Sequence, residues 1–187
     1  MGDYFGERYR HIFFASWQHF SLVAQCLILA TIISVLIAVL VYRNKSLSGI
    51  ANSISAIGLT IPSFALIGLL IVPFGFGVAP AVIVVTFFAA LPILRNAIVG
   101  LNNIEPSIVE SAKGIGMSRL KTLISVELPI AWPVILTGVR VSAQMVMGVA
   151  AVVSYALGPG LGGFIFQGLS RLGGGAHPER QHQKDRK

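Results

Sequence analysis

The longest uncharged stretch of the chain is the feature that most limits what it can fold into. Residues 46–94 form 49 consecutive positions without an aspartate, glutamate, lysine or arginine. One crossing of the hydrocarbon core of a membrane needs about 20 apolar residues at about 1.5 Å per residue. The stretch is therefore long enough for two crossings joined by a short turn, and a single buried helix does not account for it.

The composition of the whole chain agrees with a membrane protein. Of its 187 residues, 55% are hydrophobic and 11% are charged, whereas about 25% of the residues in a typical soluble domain are charged. Helices satisfy their own backbone hydrogen bonds inside lipid. We therefore predict an all-α fold, a polytopic bundle of about four transmembrane helices, located as a multi-pass protein in the cell membrane.

Apolar runs place the four predicted spans at residues 21–42, 50–72, 80–99 and 130–157. The glycines and prolines of residues 73–80 indicate a turn between the second and third spans. Pro62 lies within the second span, where a proline kinks the helix and frees a carbonyl for a neighbouring helix or a pathway. The first run is longer than the apolar core of a cleaved signal peptide, which has about 7–15 residues, so we expect it to be retained.

The two ends of the chain differ from its middle. Residues 1–20 are mixed and aromatic, and Trp17 suits the headgroup region of a membrane, so we predict an interfacial segment there. Residues 21–172 form the predicted transmembrane domain. Residues 173–187 are strongly polar and are predicted to be a disordered tail.

The distribution of charge excludes several classes of function. The net charge is +7, but the basic residues lie in short groups between apolar runs, so no nucleic-acid partner is predicted. The positive-inside rule assigns the basic loops at 43–49 and 100–129 to the cytoplasm. The only cysteine, Cys26, has no metal-ligand cluster around it, and no cofactor is predicted. The spans also lack clustered catalytic groups, which argues against a membrane enzyme.

A polar segment, ESAKGIGMSRLKTLISVELP at residues 110–129, lies between two apolar runs. Ser107 followed by Glu110 fits a capping box that would begin a short helix, in which Ser107 caps the free amides and Glu110 reaches back. Pro106 disfavours helical conformation at Glu105. A short helix is therefore predicted to enter the segment.

The middle of the segment predicts a turn and a second short helix. Gly114 and Gly116 interrupt the first helix and allow a sharp turn. Ser118 is expected to cap the second helix, which is expected to end near Leu128 because Pro129 follows. The segment is therefore predicted to be a compact helix–turn–helix element on the cytoplasmic side. By periodicity alone, an amphipathic loop lying on the membrane surface is an equal alternative.

The spacing within the segment resembles the EAA loop of ABC importer permeases. In that loop, Glu-Ala-Ala is followed after three residues by Gly, and after nine more by Ile, one residue and Leu-Pro. The matching positions here are Glu110, Ser111, Ala112, Gly116, Val126, Leu128 and Pro129. Ser111 replaces the first alanine of the pattern and Val126 replaces its isoleucine.

The resemblance covers about residues 20–170 and is closest to the osmoprotectant branch of these permeases. It is carried by TIPSFALIGLL at 60–70, LPILRNAIVGLNNIEPSIVESAKGIGM at 91–117 and VELPIAWPVILTGVR at 126–140. It implies a type I importer permease fold and a substrate such as glycine betaine, carnitine or choline. The implied partners are a second permease subunit, two cytoplasmic ATP-binding subunits and an extracytoplasmic substrate-binding protein. ATP hydrolysis is then expected on a separate chain.

The same resemblance implies that the segment is a coupling helix seated in a groove of the ATPase. Two roles for Glu110 stay open, the helix cap and an ion pair with that groove. Related permeases continue with a further apolar span where this chain has its polar tail. A final span is therefore expected to be missing, through truncation or a frameshift of the coding sequence.

Three residues of the predicted spans are candidates for a pathway or gate: Pro62, Arg140 and Gln144. Arg140 is the one charge in its apolar region, and snorkelling to the cytoplasmic interface is its alternative role. Gln144 fits helix packing equally well. An amino acid or another small solute is the alternative cargo, because a binding protein supplies most of the selectivity in such systems. A non-transport membrane assembly protein is the other alternative.

Overall fold

A computed structural model describes residues 2–157 and 160–174, with side chains from 9 to 157 and from 160 to 171. Over these residues all regular structure is helical, which confirms the all-α prediction. The elements are α1 (Gly2–Val41), α2 (Lys45–Gly58), α3 (Ser63–Phe74), α4 (Val78–Asn102), α5 (Pro106–Gly114), α6 (Arg119–Thr122), a π-helix (Leu123–Glu127), α7 (Leu128–Leu157) and α8 (Gly162–Gly174).

Three helical runs within the described residues are long and apolar enough to cross a membrane. They are Tyr9–Val41 of α1, all of α4, and Arg119–Leu157, which joins α6, the π-helix and α7. The pair α2 and α3 adds a fourth if the two helices count as one span. The predicted bundle of about four spans is therefore confirmed.

The second predicted span is not one straight helix. α2 and α3 meet at an angle of 97°. Pro62 is the residue before α3 and is extended, with φ −62° and ψ 129°. Because a proline has no N–H and fixes its own φ, it favours the start of a new helix over the continuation of an old one. The predicted kink at Pro62 is thus a complete break.

The predicted boundaries at the two ends have no counterpart in the backbone. α1 passes residue 20 without interruption, so the interfacial position of residues 1–20 stays a prediction. α8 continues past residue 172 to Gly174. Residues 175–187, which make up most of the predicted tail, lie outside the described part of the chain.

Helix α4 forms the centre of the bundle, with α1 and α7 packed on either side. Its apolar side chains supply a larger share of the buried core than those of any other described helix, and include Val84, Phe88 and Ile93. Two buried hydroxyls hold the neighbours to it: Ser34 of α1 donates to the Ala90 carbonyl at 3.0 Å, and Ser142 of α7 donates to the Ala89 carbonyl at 2.7 Å. These bonds fall just before Pro92, where the helix lacks one N–H donor.

Small residues let α4 and α7 approach closely near the beginning of α7. A Cβ atom added at Gly138 would lie 2.8 Å from Cβ of Asn96 and 3.1 Å from Cα of Ile93. One added at Gly100 would lie 3.1 Å from the Ala131 carbonyl oxygen. Such close contact between small residues is a main source of helix association in membranes. It fixes α7, and with α7 the polar segment that precedes it.

Candidate functional site

The polar segment lies at the end of the bundle where α1 and α4 finish and α7 begins, which we call the loop end. Leu101 of α4 and Ala131 of α7 are buried together there with Ala38 of α1. Helices α5 and α6 extend the chain beyond this cluster. Apolar packing thus supports the base of the segment.

Helix α5 begins two residues earlier than the predicted capping box requires. Pro106 is its first residue, and Glu105 before it is extended, with φ −61° and ψ 128° and no capping hydrogen bond from its side chain. The predicted effect of Pro106 on Glu105 is confirmed. The capping box is wrong, because Ser107 lies inside the helix, where its carbonyl accepts a 2.8 Å hydrogen bond from the Ser111 hydroxyl.

The turn after α5 requires a glycine at position 116. Gly116 has φ +84°, a region that costs other residues about 1–2 kcal/mol. Its N–H bonds the Lys113 carbonyl at 2.9 Å, and the N–H of Met117 bonds the Ala112 carbonyl at 3.1 Å. This pair of bonds is the Schellman ending of a helix. The predicted turn is confirmed, while Gly114 is simply the last residue of α5.

The second short helix starts as predicted but does not end as predicted. The Ser118 side chain caps α6 by accepting from the Lys121 N–H at 3.4 Å. The helix does not stop near Leu128. It continues through the π-helix into α7, with the Leu128 N–H bonded to the Leu123 carbonyl. Pro129 is tolerated because it falls in the first turn of α7, after a widened turn that relieves its clash with the preceding helix.

The π-helix changes which side chains face the bundle. Buried positions along α7 include Ala131, Ile135 and Gly138, and Glu127 lies four residues before the first of them. The preceding buried residue, Thr122, is five residues before Glu127. One extra residue in the turn therefore allows Thr122 and Glu127 to point inward together, while Ile124 between them is exposed.

Glu127 is a buried carboxylate that accepts two hydrogen bonds from the residues after α1, which are themselves joined by a third. Its side chain is 3% exposed, and an oxygen lies 3.1 Å from Nη2 of Arg43. The Tyr42 hydroxyl donates to the other carboxylate oxygen and accepts a 2.6 Å bond from Nε of Arg43. Burial raises the pKa of Tyr42 to about 12, and the bond to Glu127 acts in the same direction. The phenol therefore stays protonated and serves as a donor.

A cavity of about 400 Å³ separates α5 from this group. Its polar lining includes Tyr42, Arg43, Glu110, Lys113, Arg119 and Glu127. Among these lining residues, Arg43 and Glu127 form an ion pair, with 3.1 Å between Nη2 and Oε1. The polar segment thus continues into the bundle through the π-helix, and the cavity lies between α5 and the Glu127 group.

The seven residues predicted for the loop divide into an exposed and a supporting set. Exposed residues are Glu110, Ser111, Gly116 and Pro129, whereas Ala112 is buried and Val126 and Leu128 are half-buried. We call the turn between α5 and α6, with the residues beside it, the tip of the segment. Two large apolar side chains of the tip lie outside the motif and are exposed: Ile115 is 77% and Leu120 is 66% exposed. The tip therefore presents an apolar surface with charged neighbours.

The three predicted pathway residues do not come together in one place. Arg140 and Gln144 are exposed one turn apart on α7, and Thr137 is exposed on the turn before them. No ion pair to Arg140 is formed by any residue in the described ranges. Pro62 is exposed at the break between α2 and α3.

Sequence reasoning missed the role of Glu127, Tyr42 and Arg43. The signal available was a single acidic residue next to Leu128 and Pro129, at a position that helix periodicity places on the buried face of α7. The partners could not be found in this way, because they lie 85 and 84 residues away in the chain.

Comparison with known proteins agrees with this architecture. The chain is 32% identical over 167 residues to the carnitine transport permease protein OpuCB of Listeria monocytogenes, covering 89% of this chain and 77% of that protein. It is 35% identical over 159 residues to the choline transport system permease protein OpuBB of Bacillus subtilis, covering 85% and 73%. It is 40% identical over 160 residues to the osmoprotectant import permease protein OsmW of Salmonella typhimurium, covering 83% and 74%.

The family match covers most of the described bundle. Residues 30–173 match the model of the binding-protein-dependent transport system inner membrane component. The matched range includes α2 to α7, the polar segment and nearly all of α8, together with the second part of α1. The chain, a multi-pass membrane protein, belongs to the family of binding-protein-dependent transport system inner membrane components.

Proposed function

We propose that this chain is the permease subunit of an ATP-binding-cassette importer for quaternary-ammonium osmoprotectants such as glycine betaine, carnitine or choline. The support for the substrate class is that relatives with 32–40% identity are named as carnitine, choline and osmoprotectant permeases. The transporter would contain a second permease subunit, ATP-binding subunits and an extracytoplasmic substrate-binding protein. The binding protein supplies most of the selectivity.

The observation that carries the coupling role is the construction of the loop. Helix α5, the Gly116 turn and α6 form a short, hydrogen-bonded unit that is continuous with α7. Its tip exposes Ile115 and Leu120, which a groove on an ATPase subunit would cover. Because helices transmit displacement better than an unstructured loop, movement of the docked ATPase would reach α7 directly. Glu110 is exposed and caps nothing, so we propose an ion pair with the ATPase as its role.

The exposed polar face of α7 is the proposed side of the pathway. Ionisable and polar residues within a span rarely face lipid and instead face protein or a water-filled cavity. Arg140 and Gln144 would therefore face the second permease subunit and the space between the two subunits. Pro62, at the break between α2 and α3, would act there as a hinge or gate.

Uptake in a reconstituted transporter tests the cargo. With the ATPase and binding proteins encoded next to this chain, we expect uptake of labelled glycine betaine or choline that rises with external osmolarity. Excess unlabelled betaine should compete, and excess amino acid should not. An amino acid that is transported without competition from betaine would favour the alternative cargo. The isolated chain should hydrolyse no ATP, and robust hydrolysis by the pure chain would contradict the proposal.

A further inference from the structure

The charged group at the loop end joins two parts of the chain that are far apart in sequence. Glu127 is the last residue of the π-helix, at the point where the coupling loop enters α7. Arg43 and Tyr42 follow the end of α1 directly. The bonds between them therefore connect the base of the loop to a second span, in addition to the covalent connection with α7.

The end of α1 is in turn fixed to the beginning of α2. The Asn44 side chain accepts from the N–H groups of Ser46 and Leu47, at 3.0 Å and 3.2 Å. The Ser48 hydroxyl donates to the Val41 carbonyl at 2.9 Å. A displacement of Arg43 would therefore move α1 and α2 together, and α2 leads to the break at Pro62.

This ion pair is a poor means of adding stability, because the desolvation of the buried Glu127 offsets much of its attraction to the half-exposed Arg43. Its stronger effect is geometric. Three hydrogen bonds of defined direction fix the position of Glu127 relative to Tyr42 and Arg43, whereas apolar contacts would tolerate sliding. The π-helix that brings Glu127 inward is also a distortion that occurs most often at functional sites.

We propose that Glu127, Tyr42 and Arg43 form a positioning clamp, through which displacement of the coupling loop moves α1 and α2 together with α7. The proposal rests on the coupling role of the loop. In the absence of the clamp, the ATPase would still dock on the tip formed by α5 and α6. Its movement would then reach α7 without a direct connection to the end of α1, and ATP would be hydrolysed with less transport.

Coupling efficiency in the complete transporter tests the clamp. Glu127→Gln keeps the size of the side chain and removes its charge, and Tyr42→Phe removes one donor while keeping the ring beside Arg43. The matched control is Glu105→Gln, the same change at an exposed position of the same end. The measurements are assembly with the ATPase subunits and the amount of substrate transported per ATP hydrolysed.

We expect Glu127→Gln to assemble normally and to lower transport per ATP several-fold, Tyr42→Phe to lower it less, and the control to match the unmodified chain. A second readout is the distance between spin labels at Lys45 and Lys113, two exposed positions on the two sides of the clamp. This distance should stay constant between the nucleotide-free and nucleotide-bound states, and should change between them in Glu127→Gln.

An assembled Glu127→Gln transporter with unmodified transport per ATP would overturn the proposal. If Glu127→Gln does not assemble, Tyr42→Phe decides: unchanged transport per ATP and an unchanged label distance would overturn the clamp. Failure of the coupling role itself looks different, because the loop variant Gly116→Val would then transport at the unmodified rate. If Gly116→Val loses transport while Glu127→Gln and Tyr42→Phe keep the unmodified transport per ATP, the clamp is contradicted and the coupling role of the loop is not.

Discussion

At the residue scale, Gly116 shows how one backbone angle can set the shape of the proposed coupling loop. Its φ of +84° completes the hydrogen-bonded ending of α5, and a Cβ atom there would meet no other atom within 4 Å. The demand for glycine is therefore conformational and does not come from crowding. Gly114, two residues earlier, has neither a positive φ nor a close neighbour. The pair thus offers a matched comparison.

Replacement of Gly116 by valine should impair docking of the ATPase while the chain remains in the membrane. Strain of about 1–2 kcal/mol at a positive φ would displace α6 from α5, whereas insertion depends on the spans. The measurement is co-purification with the ATPase subunit at equal membrane abundance. Gly114→Val is the control and should assemble better.

Glu110→Ala, which removes no cap, should weaken assembly without lowering stability. If all the variants assembled equally well, the loop would be shown not to form part of the docking surface.

The ionisation of Tyr42 gives a second residue-scale prediction. Its pKa in the folded chain is about 12, compared with 10.0 for an unperturbed tyrosine. The folded state therefore holds this proton more tightly, and the contribution to stability is complete below pH 10 and is lost as the pH rises toward 12. Alkaline unfolding in detergent should show this loss. Tyr42→Phe should lack that part of the pH dependence, and an unchanged profile would contradict the assignment.

At the scale of elements, the π-helix decides how the proposed coupling loop is oriented on α7. It allows Thr122 and Glu127 to be buried five residues apart, on either side of exposed Ile124. In a regular α-helix with the same number of residues, Glu127 would stay in register with Ala131, but Thr122 and everything before it would be rotated by about 100°. The same widened turn accommodates Pro129.

Because the π-helix already accommodates one extra residue, insertion of one further alanine after Ile124 should rotate α5 and α6 by about 100° around the axis of α7, the angle of one residue in an α-helix. We expect the variant to reach the membrane but to lose assembly with the ATPase. Ile124→Ala, which keeps the number of residues, is the control and should assemble. Co-purification measures both. Assembly of the insertion variant at the level of the control would show that the orientation of the loop is not set by the π-helix.

At the scale of the whole molecule, the topology follows from where the basic residues lie. The loop end carries Arg43, Lys45, Lys113, Arg119 and Lys121 on elements that meet there, and the positive-inside rule assigns this end to the cytoplasm. Phe76 lies in the connection between α3 and α4, after the bend at Pro62. Helix α4 runs from just after Phe76 to the loop end and is long enough to cross the membrane. Phe76 and the loop end therefore report on opposite sides of the membrane.

Cysteine labelling tests this orientation. Ile115→Cys should react with a membrane-impermeant reagent only after the cells are opened, and Phe76→Cys should react in intact cells. The two positions are 77% and 76% exposed, which makes them a matched pair. The native Cys26 is buried and should contribute little. Added ATPase subunit should protect position 115 alone. Labelling of Ile115→Cys in intact cells would show that the chain has the opposite orientation in the membrane.

Local features of the sequence predicted much of the architecture. The uncharged stretch at 46–94 and the other apolar runs identified the spans, because the length of an apolar run is itself the physical requirement for crossing a membrane. Glycine at 116 and serine at 118 identified the turn and the cap of α6, because their effects depend on the neighbouring backbone alone. The capping box failed since Pro106, one residue before Ser107, had already begun the helix.

The sequence by itself determined that the chain is a bundle of apolar helices with a structured polar loop. Only the tertiary structure decided that α2 and α3 meet at 97°, that α7 begins in a π-helix, and that Glu127 is buried against Tyr42 and Arg43. The physical reason is the range of the interactions. A carboxylate is buried only where its partners are, and those partners lie 85 and 84 residues away along the chain, brought together by the packing of α1 and α7 around α4.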